Sequence, residues 1–89
     1  MYSLEIRKSI EKTFLKLSKK NPNQMSIILN KIEEIRQNPN HYKNLRRPLN
    51  YLKRIHIDKS FVLLFSVDEN KKIIIIEDYN HHDKIYLKI

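Results

Sequence analysis

The chain has 89 residues, 40 % of them hydrophobic, and a formal net charge of +8. That length gives a single domain over residues 1–89, with no room for a separate cofactor domain. The absence of cysteine excludes disulfides and thiolate metal sites, and the absence of glycine excludes a glycine-rich phosphate loop. The charge is +5 over residues 1–45 and +3 over residues 46–89, and it favours a polyanionic partner: RNA, DNA, an acidic protein segment or an anionic membrane. Met1 to Arg7 is too polar for a signal peptide, and no run reaches the ~20 apolar residues of a spanning helix. A cytoplasmic protein without a membrane role is expected.

Tyr2, Leu4 and Ile6 alternate with Ser3 and Glu5, the pattern of a short strand. Ile10, Phe14 and Leu17 then recur at helical spacing, with Leu15 widening the stripe. Ser9 is the expected N-cap, and Lys12 stands where a capping box would place glutamate. Asn21-Pro22 ends this helix and starts the next, since asparagine suits an N-cap and proline the first helical position. Met25, Ile28, Leu29, Ile32 and Ile35 form the apolar stripe of the second helix, which Asn38-Pro39-Asn40 terminates. So short a connection predicts an antiparallel helical hairpin.

Residues 38–50 read as a polar loop with two prolines and three cations, Lys43, Arg46 and Arg47. Contact with a phosphate backbone and a solvated connection both fit it. From Tyr51 onward the pattern is that of a three-stranded meander. Asp58-Lys59 and Asp68 to Lys71 supply the turns. Phe61 to Val67 and Ile73 to Ile76 are apolar on both faces, as in central strands covered twice. The predicted fold is α+β, a two-layer β-α-α-β-β-β arrangement with the hairpin packed on a small, mainly antiparallel sheet.

Arg54 and His56 project from one face of the first meander strand, about 6–7 Å apart. The closing segment His81-His82-Asp83-Lys84-Ile85-Tyr86 follows a strand of the same sheet and is placed to flank that face. Histidines suit proton transfer at a phosphate, and arginine, always charged and fork-shaped, suits the phosphate itself. Tyr86 suits base stacking or anchorage of the C-terminus in the core. His56 suits a general base or a buried, hydrogen-bonded strand position. Adjacent histidines on an extended chain point to opposite sides, which is a poor metal-ligand spacing, and no metal or cofactor is expected.

Three segments carry a resemblance: Leu49 to Ile57, Phe61 to Phe65, and His81 to Tyr86. Together with the order of elements they resemble the RelE/ParE superfamily of toxins from type II toxin–antitoxin pairs, over nearly the whole chain. The resemblance implies a ribosome-dependent, metal-independent mRNA endonuclease with a cognate antitoxin as partner. It implies catalytic roles for Arg54, His56, His82 and Tyr86. On that reading the RNA or phosphate contacts are expected from Lys43, Arg46, Arg47, Lys53, His81 and Lys84. The family commonly has an arginine early in the next strand, where this chain reads Ser60-Phe61-Val62. No C-terminal helix is expected, because the chain runs only three residues past Tyr86. The same resemblance also admits a ParE-like inhibitor of DNA gyrase, or a catalytically degenerate RNA-binding homologue.

Overall fold

The computed structural model describes residues 1–88. Strand β1 (Ser3–Ile6) leads into helices α1 (Lys8–Lys20) and α2 (Pro22–Gln37), and a 3₁₀ turn over Pro39–His41 follows. Strands β2 (Lys53–Ile57), β3 (Phe61–Asp68) and β4 (Ile73–His81) then form the meander, and a short helix α3 (His82–Lys88) closes the described chain. The fold is α+β. Helix α3 corrects the expectation that a C-terminal helix is absent. It begins one residue into the closing segment His81–Tyr86 and runs two residues past it.

The sheet order is β1-β4-β3-β2. β1 runs parallel to β4, as the helical crossover requires, and the other pairs are antiparallel. The central strand β3 is covered on both faces, whereas Ile73 and Ile75 of β4, expected to be covered as well, stay half-buried on the side away from the hairpin. On one face the hairpin contributes Ile10, Phe14, Ile28, Ile32 and Ile35, which pack on Ile55, Ile57, Leu63, Phe65, Ile74, Ile76 and Tyr79. On the other, Val62 and Leu64 meet Leu45, Leu52 and Ile85 in a second, smaller core.

Local chemistry accounts for the helices, with two corrections. Arg7, not Ser9, occupies the N-cap of α1 and offers no side-chain bond; Ser9 lies within the first turn, where its carbonyl accepts from Thr13 Oγ1 at 3.1 Å. Leu15 and Leu29 are 63 % and 53 % exposed and do not join the core. Each follows a buried residue, Phe14 or Ile28, and one step along a helix turns the side chain by about 100°. Asn21 caps α2 as expected, its Oδ1 accepting from Gln24 N at 3.2 Å.

Gln24 is itself buried, and its Nε2 donates to the Tyr79 hydroxyl at 2.5 Å, which ties the start of α2 to β4. Phe61 stacks on Tyr79, and Phe14 meets it edge-on. The pairing register shifts at this point. Leu64 faces Asp78 while Phe65 faces Ile76, so Glu77 is an extra residue, a β-bulge. The bulge reverses the side-chain alternation of β4. Ile74 and Ile76 precede it on the hairpin face; Tyr79, an odd number of residues further, returns to that face.

Burial pushes the Tyr79 hydroxyl up to about 12, so the folded state keeps this proton above its ordinary value near 10. Stability contributed by the neutral phenol is therefore present below about pH 10 and lost as pH rises towards 12. Tyr79→Phe should flatten part of that alkaline slope in urea unfolding. It should also cost about 1–3 kcal/mol near neutrality, because Gln24 Nε2 loses its buried partner. The double change with Gln24→Leu should cost less than the sum of the two single changes.

Candidate functional site

Ile55 and Ile57 take the hairpin side of β2, so alternation turns Arg54 and His56 to the opposite face. Arg54 is half-buried and His56 is exposed, which rules out a buried strand position for this histidine. Helix α3 lies over the same face. On it His82, Ile85 and Tyr86 are three and four residues apart and share one side. Ile85 is fully buried in the second core. The helix is held at its start by two bonds. His82 N donates to Ser60 O at 2.7 Å, and His81 Nδ1 accepts from Asp83 N at 3.3 Å.

This docking brings together Arg54, His56, His82 and Tyr86. Arg54 Nη1 donates to Tyr86 Oη, and the Arg54 guanidinium carbon lies 5.8 Å from the Tyr86 ring centroid. The Tyr86 and His82 rings meet edge-on at 4.5 Å. The His82 and His56 rings lie 6.0 Å apart at 30°. The side chain of His82 remains 45 % exposed, and its Nδ1 is 3.4 Å from Asp83 Oδ1. A continuous run of cation, phenol and two imidazoles therefore faces solvent on one surface. Arg54 keeps N–H donors beyond the one used on Tyr86.

Beside Arg54 and Tyr86 opens a groove of about 550 Å³, whose rim carries Lys43, Arg46 and Arg47. Its wall is the loop that the sequence presents as polar. Leu45, Leu49 and Leu52 fasten that loop to the second core. Backbone bonds from Leu45 N to Leu52 O (2.8 Å) and from Arg54 N to Lys43 O (3.3 Å) fix it to the start of β2. Asn44, Leu45, Pro48 and Leu49 also line the groove, and sequence reasoning did not single them out. The spacing of three leucines within eight residues is the signal that marks them.

The remaining residues lie elsewhere. Lys53 points to the hairpin side, where its Nζ donates to Tyr42 O at 3.0 Å and Asn44 Oδ1 at 2.9 Å. His81 follows Tyr79 on the hairpin side, its ring 5.6 Å from that of Phe61. Lys84 is exposed on α3 and is not among the residues lining the groove.

The chain matches the family described as ParE toxin of type II toxin–antitoxin system, parDE, over residues 1–86. It is 59 % identical over 88 residues to a Methanocaldococcus jannaschii protein named "Putative toxin RelE4", covering 99 % of this chain and 94 % of that one. Its fold is similar to a structure of the toxin–antitoxin complex RelBE2 from Mycobacterium tuberculosis. There the TM-score is 0.75 at 18 % identity, over 91 % of this chain and 98 % of that one. It is equally similar to one of the YoeB–YefM complex from Staphylococcus aureus. There the TM-score is 0.76 at 16 % identity, over 92 % and 98 % of the two chains.

The geometry makes Ile85 the support of the cluster. Ile85→Ala should raise amide hydrogen exchange throughout α3 and shift the side-chain resonances of Arg54, His56 and Tyr86. Amides of α1 and α2 should keep their protection. Global stability should fall by about 2–5 kcal/mol. Unchanged protection of α3 would show that the helix is held by something other than this side chain.

Proposed function

The chain belongs to the RelE/ParE family of toxins of type II toxin–antitoxin systems, and we propose that it acts as a ribosome-dependent endoribonuclease that cuts mRNA and so inhibits translation. The observation that carries this reading is the single surface shared by Arg54, His56, His82 and Tyr86. It supplies what cleavage by an internal nucleophile needs. The ribose 2′-oxygen bonds to phosphorus as the bond from phosphorus to the 5′-oxygen breaks. One imidazole removes the 2′-hydroxyl proton and the other donates a proton to the leaving 5′-oxygen; His56 and His82 share these two roles. The Arg54 guanidinium offsets charge on the transferring phosphate. Tyr86 holds Arg54 in place and offers its ring to a base. Lys43, Arg46 and Arg47 extend the cationic surface along the RNA strand, Lys84 offers a further exposed cation on α3 outside the groove, and Lys53 and His81 act through the loop and the start of α3. A cognate antitoxin would restrain the toxin by covering the cationic face.

A second reading, inhibition of DNA gyrase without RNA cleavage, draws on the ParE description of the matching family. A supercoiling assay with purified gyrase separates the two: inhibition together with intact mRNA selects the second. On the first reading, His56→Ala and His82→Ala should each slow cleavage of ribosome-bound mRNA by ~10²-fold or more. Both side chains are at least partly exposed, so the unfolding midpoints should stay near that of the unsubstituted protein. Full activity in both variants would remove the histidines from the mechanism.

A further inference from the structure

Among the described residues, some surface cations are held by partners, whereas the exposed ones beside the groove, like Lys8, Lys12, Lys16, Lys19 and Lys20 of α1, are not. Arg7, Lys31, Arg36 and Lys72 each meet a carboxylate within 3.4 Å. Lys53 is bonded to oxygens of the 42–44 segment. Lys43, Arg46 and Arg47 are exposed, and none makes a side-chain hydrogen bond or ion pair with a described residue. With Arg54 they place four positive groups around one groove, and among the described residues no acidic one lines it.

A phosphodiester strand brings one negative charge per nucleotide. Four cations lining about 550 Å³ are better matched by a compact group of two to four charges, because each added charge gains from the same set of donors. The rest of the wall is not polar. Leu45, Pro48, Leu49 and the Tyr86 ring give the groove an apolar side that suits a planar base. The volume falls within the range of about 300–1,000 Å³ usual for small-ligand pockets. The loop that carries the cations is fastened by the second core and by backbone bonds, so the groove exists before any ligand arrives.

We propose that this groove binds a free nucleoside diphosphate or triphosphate, with its phosphates among Lys43, Arg46 and Arg47 and its base against Leu49, Pro48 and Tyr86. Arg54 and Tyr86 belong to both the groove and the cluster above. A bound nucleotide therefore excludes RNA from those two residues and acts as a competitive brake. The binding claim itself does not rest on RNA cleavage.

Calorimetric titration of the full chain at low salt with ADP, pyrophosphate and adenosine tests it. ADP should bind at one site per chain, about tenfold or more tighter than either pyrophosphate or adenosine alone. Arg46→Gln with Arg47→Gln should weaken ADP by about tenfold or more without moving the unfolding midpoint, since both side chains are exposed. A non-cleavable 2′-O-methyl RNA oligonucleotide should displace the bound ADP. Equal affinity for ADP and pyrophosphate would reduce the groove to an anion patch and overturn the proposal. So would ADP binding that the double substitution leaves unchanged, or RNA binding that ADP does not compete with. If the RNA cuts are absent but ADP binds as described, only the nuclease reading fails; if the cuts are present and ADP does not bind, only this inference fails.

Discussion

Burial of one side chain, Ile85, holds the candidate site together. It is fully buried against Val62 and Leu64 of β3 and Leu45 and Leu52 of the loop. Covering a side chain of this size contributes about 1.5–3 kcal/mol, and a helix of seven residues cannot persist on its own propensity. α3 therefore exists where it does because this contact exists. His82 lies three residues before Ile85 and Tyr86 one after, and the docked helix delivers both to the strand that carries Arg54 and His56. The same small core fastens the basic loop, so Leu45 and Ile85 couple the groove to the imidazole pair.

The two faces of the sheet divide the labour. The hairpin face carries the larger core and the buried Gln24–Tyr79 bond, and provides a rigid platform. The other face has only the small core, and around it charged and aromatic groups reach solvent. The bulge at Glu77 mediates between them. Without the extra residue, Tyr79 would turn away from Phe14 and from the amide of Gln24. Glu77 has bonds of its own: it accepts from Ser66 Oγ at 2.6 Å and pairs with Arg7 at 2.9 Å, where β1 passes into α1.

Hydrophobic periodicity made β1, both helices and the three meander strands legible, because each buries a stripe or alternating set of side chains. The shared face of Arg54 and His56 followed from strand alternation alone. Three things did not follow. Helix α3 is short and polar, and Ile85, its one fully buried residue among those described, gives no periodic pattern to read. The bulge reverses the phase of β4, so His81, grouped with Arg54 and His56 by simple succession, lies on the other side. Lys53 looks like one more cation of a basic segment, yet its ammonium stabilises the fold of the loop behind it. The lysine at 72 adopts a φ of 56°, a left-handed conformation that a chain without glycine must give to another residue, as it also does at Asp58.

Cleavage between the two imidazoles is tested most directly by the chemistry of the mRNA ends left on programmed ribosomes. Attack by a 2′-oxygen between two imidazoles yields a 5′-hydroxyl on the downstream fragment and a 2′,3′-cyclic phosphate or 3′-phosphate on the upstream one. The downstream fragments should therefore accept a radiolabelled phosphate from polynucleotide kinase without prior phosphatase treatment, and naked mRNA should stay whole. Fragments bearing a 5′-phosphate, or no fragments while gyrase is inhibited, would contradict the account.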